Sequence, residues 1–280
     1  MADHWTLRSE TLRLGGLPRL MGILNVTPDS FSDGGRYLDP AAAIAHGLRL
    51  VAEGADILDV GGESTRPGAT PVEAQEELRR VIPVIDALCR RTAIPVSIDT
   101  SKAAVAREAI SAGAQIVNDV TALRGDPEMM GVVLESGAGV CVMHVQGTPR
   151  TMQEHPTYQD VVGEVAALLR SRRDALLSAG IAQDHIALDP GIGFGKTVEH
   201  NLALLRNAWR LHELGCPVLV GPSRKSFIPK VLADKQADLI AGTIGAALAL
   251  ARQGVQVLRV HDVAPVRQAL LLFESAGGIA

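Results

Sequence analysis

From residue 20 onward, short runs of aliphatic and β-branched residues alternate with longer stretches whose apolar positions recur at helical spacing. Eight apolar runs, at 20–26, 55–61, 94–99, 114–119, 139–144, 185–190, 216–221 and 255–261, stay nearly all apolar until their last one or two residues. Such runs predict strands covered on both faces, as in a parallel sheet with helices outside and packed layers inside. The stretches at 40–53, 72–90, 102–111, 127–136, 158–178, 199–214, 237–252 and 263–276 predict the helices. Gly54-Ala55, Gly113-Ala114 and Ala179-Gly180 follow three of them, where glycine suits the left-handed cap that turns the chain back. Eight strands close a barrel, and no linker-like stretch interrupts the alternation. The pattern therefore predicts one α/β domain over residues 1–280, a (β/α)8 TIM barrel. The alternative is a doubly wound sheet, but no G-x-G-x-x-G turn follows the first run.

Composition supports this picture and removes several function classes. With 47% hydrophobic residues in 280 the chain can bury a large core, and with 3% aromatic residues that core must be built from Val, Ile, Leu and Ala. A net charge of -4 with both signs mixed along the chain leaves no basic stripe, so no nucleic-acid partner is expected. Cys89, Cys141 and Cys216 lie far apart in or beside apolar segments and read as reduced core thiols of a cytoplasmic protein. The opening MADHWTLRSETLRLGG carries charges where a signal peptide would be apolar, and the run at 239–251 is short for a span, so no membrane association is expected.

The ends of the apolar runs carry the chemistry. In order they present Asn25, Asp59, Asp99, Asn118, His144, Asp189, then Lys225 beside Ser223 and Arg224, and finally Arg259 with His261. Any one of these could be a helix cap or turn former. On a barrel, however, all eight ends ring one mouth, where such folds place catalysis. Two long loops, NVTPDSFSDGGRY and GGESTRPGA, exceed what compact connections need and read as lids, with Thr65 and Arg66 able to meet an anion. Asn25 with Asp33 offers hard oxygen ligands for Mg2+, whose remaining positions substrate phosphates would fill.

LDPGIGFGKT ends like a phosphate-binding loop in Gly195-Lys196-Thr197 but lacks the spacing of one. It reads better as a carboxylate, Asp189, with Gly191 and Gly193 making room for a ligand and Phe194 forming an apolar wall. A carboxylate there can accept two parallel N–H donors from a 2-amino-pyrimidinone edge, as it would from a guanidinium. Asn118 adds a donor and acceptor pair, and a flat heterocycle can stack on Arg259.

Eight blocks in order, GILNVTPDSFSDGG, DVGGESTRPGA, SIDTSK, IVNDV, MHVQGTPRTMQ, LDPGIGFGKT, GPSRKSFI and RVHDV, closely resemble the dihydropteroate synthase family over nearly the whole chain. The resemblance implies a folate-biosynthesis barrel that joins 6-hydroxymethyl-7,8-dihydropterin pyrophosphate to p-aminobenzoate, giving 7,8-dihydropteroate and pyrophosphate by an SN1-like path. It implies that Asp99, Asn118, Asp189 and Lys225 hold the pterin, that Arg259 stacks on it and Met143 walls it, and that Asn25 ligates Mg2+. It also implies that Arg259 and His261 grip the pyrophosphate, while Phe31, Thr65, Arg66, Pro67, Phe194, Ser223 and Lys225 receive p-aminobenzoate. Sulfonamide sensitivity and a homodimer follow from the same resemblance, the apolar C-terminal helices being the expected interface. Pro222 and Ile192 depart from frequent family residues without removing a polar group.

Two rival readings remain. A pterin-binding methyltransferase would share the cradle but would have no use for Thr65-Arg66-Pro67, and a non-catalytic pterin binder would be expected to have lost Asn25, Asp99 or Lys225. His46, His155, His185, His200 and His212 read as surface residues, and His144 as either a packed residue or a ligand contact.

Overall fold

The computed structural model describes residues 1–27, 39–64, 68–147, 152, 154 and 156–279. Eight parallel strands, β3 (Arg19–Asn25), β4 (Ile57–Gly61), β5 (Val96–Asp99), β6 (Ile116–Asp119), β7 (Gly139–Met143), β8 (Ile186–Asp189), β9 (Leu219–Val220) and β10 (Val257–Val260), pair in the order β8-β7-β6-β5-β4-β3-β10-β9. A parallel bridge between Leu188 and Val218, with the Leu188 N–H donating to Pro217 O at 2.9 Å, joins the two ends of that row. The sheet is thus the expected barrel. Its weakest seam lies at β9, where Pro217 has no N–H to give; the side-chain oxygen of Gln256 accepts the Val218 N–H at 2.9 Å instead.

Helices α1 (Pro40–Ala52), α2 (Ala74–Arg91), α3 (Ala103–Ser111), α4 (Met129–Ser136), α5 (Val161–Ser178), α6 (Val198–Arg206), α7 (Phe227–Val231), α8 (Leu239–Ala251) and α9 (Val263–Ser275) surround it. Asp39, Asp160 and Asp238 cap α1, α5 and α8 by accepting backbone N–H groups. Gly54, Gly113 and Gly180 turn the chain back at positive φ, as the sequence predicted. The stretch 199–214 is not one helix: it breaks at Asn207 and continues as the tighter 3-10 turn Ala208–Leu214. The short α7 was not foreseen.

The strand positions sort into two cores. Outward-facing Leu20, Leu24, Leu58, Val60, Ile98, Val140, Leu188, Val220 and Leu258 join the helices in the larger one. Inward-facing Met21, Ile57, Ile116, Cys141, Ala187, Leu219 and Val257 form a smaller one inside the barrel, closed from below by Trp5, Leu7 and Leu14. Those last residues belong to an unpredicted antiparallel hairpin, β1 (His4–Thr6) and β2 (Thr11–Arg13). Trp5 is fully buried, and its indole N–H donates to His185 O at 3.0 Å. All three cysteines are free, and among the described residues no helix is long and apolar enough to cross a membrane.

Candidate active site

Two residues beyond the apolar inner layer, the same strand parity turns mostly polar. Asp59 on β4, Asp99 on β5, Asn118 on β6, Asp189 on β8 and Arg259 on β10, with the apolar Met143 on β7, occupy the C-terminal mouth, where the chain can place ligands without giving up the core. Asp99, Asn118, Val120, Met143, Asp189, Ile192, Phe194, Gly221, Lys225 and Arg259 line a cavity at this mouth.

Arg259 organises its floor. Nε donates to Asp59 Oδ2 and a terminal nitrogen to Asp99 Oδ2, each at 2.6 Å, and Asn118 Nδ2 donates to the same Asp59 oxygen at 3.1 Å. Burial opposes the charge of Arg259, but the Asp59 and Asp99 carboxylates outweigh it and hold the guanidinium above its ordinary range. Asp99 moves the other way from most ion-paired acids. Its burial, together with the neighbouring Asp59, raises it to about 7 against the pull of Arg259. Asp59 is fully buried, and its Oδ1 has no hydrogen-bond partner among the described residues. It stands in the sequence-predicted ring, but the support it gives Arg259 and Asn118 across 200 and 59 positions of chain leaves no local signal.

Asp189, at the end of β8, and Lys225, in the turn after β9, line the same cavity. Burial raises Asp189, while the Gly191 N–H at 2.7 Å, Lys225, Arg259 and Lys196 hold it down. Lys225 is lowered to about 8 by burial and by Arg259, with Asp189 opposing, and its ammonium lies 4.3 Å above the Phe194 ring. Lys225 follows Arg224, a non-glycine residue at φ 53. That strained turn is held by the Arg224 N–H on Thr243 Oγ1 at 3.1 Å and by the paired Arg224–Asp262 contacts at 2.9 and 2.5 Å. The turn after β6 is strained too: Ala122 and Leu123 are buried at φ 56 and 57, tied by Asp119, which accepts from the Thr121 and Leu123 N–H groups. It brings in Val120, a cavity wall the sequence did not single out.

Some predicted residues occupy other seats. Gly191 makes room for protein rather than ligand, since a Cβ there would fall 2.0 Å from His144 O. Gly193 packs against the Lys225 side chain and donates its N–H to Asn201 Oδ1 at 2.7 Å. Ser223 is buried and commits its hydroxyl to His261, 3.1 Å from Nδ1 and 3.2 Å from the backbone N–H. His261 itself is held near 3 by burial and by Arg259 and Arg224, so its ring is neutral at pH 7 rather than a cation. Asn25 ends β3 half-buried beside this mouth. His200 and His212 are more than surface residues: His200 closes a capping box with Thr197, and His212 Nε2 lies 3.0 Å from Gln253 O. Phe31, Asp33, Thr65, Arg66 and Pro67 lie outside the described residues. The stem before the last three is tied down, with Arg80 donating to Gly62 O at 2.9 Å and Lys102 bonded to both Glu63 and Glu77.

A barrel with a buried amide, two acids and two cations around one cavity is the architecture of a pterin-binding enzyme, and the family model "Pterin binding enzyme" matches residues 21–261. The dihydropteroate synthase of Escherichia coli strain K12 is 45% identical over 258 residues, covering 92% of this chain and 91% of its own. That of Xanthomonas albilineans, solved with 4-aminobenzoic acid, superimposes with a TM-score of 0.91 at 46% identity over 100% of both chains. Its complex with 7,8-dihydropteroate gives 0.88 at 44% over 99% and 100%. The Yersinia pestis dihydropteroate synthase, solved as a sulfonamide drug complex, gives 0.91 at 43% over 98% and 99%. The chain belongs to the dihydropteroate synthase family of pterin-binding enzymes.

Proposed function

We propose that this enzyme condenses 6-hydroxymethyl-7,8-dihydropterin pyrophosphate with p-aminobenzoate to give 7,8-dihydropteroate and pyrophosphate. The observation that carries the reading is the buried Arg259–Asp59–Asp99 network set against Asp189, Asn118 and Lys225 around one cavity. Asp189 and Asn118 supply the acceptors and donor that a 2-amino-pyrimidinone edge requires, and Arg259, its plane fixed by two carboxylates, supplies a stacking face.

Breaking the C–O bond at the pterin methylene sends its electron pair to the departing pyrophosphate and leaves positive charge on carbon. Asp99 stabilises that carbon, while Arg259 stabilises the leaving oxygens. With the Ser223 hydroxyl proton directed to Nδ1, the neutral His261 ring keeps its own proton on Nε2 and donates it as a hydrogen bond to a phosphate oxygen. The arylamine nitrogen of p-aminobenzoate then bonds to the methylene and releases a proton to solvent; being weakly basic and already neutral, it needs no strong base. This SN1-like order places the demand on electrostatics that are in position before reaction. The site also fits Mg2+: the half-buried Asn25 amide at the end of β3 is a hard oxygen donor, and with Asp33 it would hold the ion. Bound there, Mg2+ would supply further neutralisation of the pyrophosphate charge.

Phe31, Thr65, Arg66 and Pro67 would complete the p-aminobenzoate pocket together with Phe194 and Lys225, which predicts competition by sulfonamides; turnover unchanged in excess drug would refute this. A homodimer through the C-terminal helices fits the exposed Leu271 and Leu272 of α9, and light scattering would test it. The reaction is tested by product formation from the two substrates with and without Mg2+. Dihydropteroate is expected, faster with the ion; its absence under both conditions ends the reading.

A further inference from the structure

Two buried polar residues take no part in that reaction, Lys196 and His144. They are 3% and 4% exposed and meet each other across the boundary between β7 and β8. Lys196 Nζ lies 2.8 Å from Phe194 O, 3.0 Å from His144 Nδ1 and 3.5 Å from His144 O. It forms no ion pair with a carboxylate of the described residues. An ammonium buried without a carboxylate is expensive, and packing alone would favour an apolar side chain at this position. Both of its partners adjoin cavity walls: Phe194 is one, and His144 follows Met143, another.

We propose that Lys196 is a positioning residue for the pterin: bonded to the Phe194 carbonyl and the His144 ring, its ammonium fixes the wall between β7 and β8 and projects positive charge onto Asp189 without touching the ligand. The inference rests on the pterin-binding reading of this cavity. The surrounding charges agree with it. Burial, aided by Lys225, lowers Lys196 to about 7, and Asp189 is the group that resists the fall; reciprocally, Lys196 is one of the cations that hold Asp189 down. Burial and the Lys196 charge also bring His144 to about 3, so the ring is neutral and accepts. The other titratable groups facing the pair are Lys225 from the turn after β9, Arg124 from the turn after β6, and Tyr158 ahead of α5, whose ring centroid is 6.0 Å from that of His144. Asp189 itself is further faced by Arg259 and Cys141.

Calorimetric titration of the whole protein with 6-hydroxymethylpterin from pH 5 to 9 tests this. Asp189 must be ionised to accept the pterin N–H donors, so binding weakens as it protonates toward acid pH. Each variant is also titrated in an Asp99→Asn background, which removes the other raised carboxyl of the cavity and leaves the Asp189 limb alone. Lys196→Met removes the ammonium and is expected to move that acid limb up by roughly one pH unit, an effect of about tenfold on the limb. Lys196→Gln keeps a donor for Phe194, is expected to show the same shift, and serves where the Met variant does not fold. Lys196→Arg is expected to restore the limb. A purely structural role would weaken binding equally at every pH, and an unmoved limb in a folded Met or Gln variant overturns the proposal. A wild type that binds no pterin overturns it as well. A wild type that binds pterin yet forms no dihydropteroate sinks the proposed reaction and leaves this inference standing.

Discussion

At the N-terminal mouth of the barrel the inward positions are Met21, Ile57, Ile116, Ala187 and Val257, capped by Trp5. Two residues further along the same strands they are Ile23, Asp59, Asn118, Asp189 and Arg259. One alternation of side chains therefore builds a dry plug at one end and a charged floor at the other. The plug gains from every apolar group it buries. The floor does not: it holds Asp59 with an oxygen lacking a hydrogen-bond partner among the described residues and Asp99 raised toward neutrality, so it costs folding energy in order to have its dipoles in place. The difference teaches that stability and chemistry occupy separate layers, and mutations should separate them.

The largest effect is expected from Asp99→Asn. Catalytic efficiency should fall roughly 100- to 1000-fold, while thermal stability holds or rises, because a carboxyl raised to about 7 is a poor buried charge. Steady-state rates beside melting curves check both halves, and a joint loss of activity and stability would break the division into layers. Next, Trp5→Ala should cost roughly 3–5 kcal/mol of stability with kcat per folded molecule unchanged. Denaturant titration and active-site counting decide it.

A smaller effect concerns acid. His144 and His261 are lowered to about 3 from 6.5, so the folded state binds their protons less well than the unfolded one. The stability they contribute is whole above 6.5 and is lost as pH falls toward 3. His261→Asn should flatten the fall of Tm between pH 7 and 5 by about 2 °C; an equally steep fall would show that the ring is not held neutral. The smallest is Thr6→Val, which removes the 2.7 Å bond from Thr6 to Asp184 under the plug. It should cost about 0.5–1.5 kcal/mol and leave the kinetics untouched.

Much of this was legible in the sequence because barrel strands announce themselves twice, by continuous apolarity and by the polar residue where each run ends. That is why Asp99, Asn118, Asp189, Lys225 and Arg259 could be named and were found around one cavity. The plug was not legible. Its strands are three residues long, too short for periodicity, and Trp5 sits among charged neighbours that mask its burial. Nor could sequence assign work to Asp59 or Lys196, or show that the Ser223 hydroxyl is bound to His261, because those partners lie far along the chain or across the barrel. Gly191 and Gly193 were recognised as points of close approach, but what approaches them is the neighbouring loop and Lys225.

The order in which the strands emerge gives the Arg259 network a consequence during synthesis. Arg259 lies on β10, 200 positions after Asp59 and 160 after Asp99. A ribosome-bound chain holding the first seven barrel strands has both acids but not the guanidinium that pairs with them, so closing its interior around them costs more than in the finished barrel. The strand that fills the gap between β3 and β9 thus carries the cation the two acids need, and the residue that organises the floor is also the one that favours closing it.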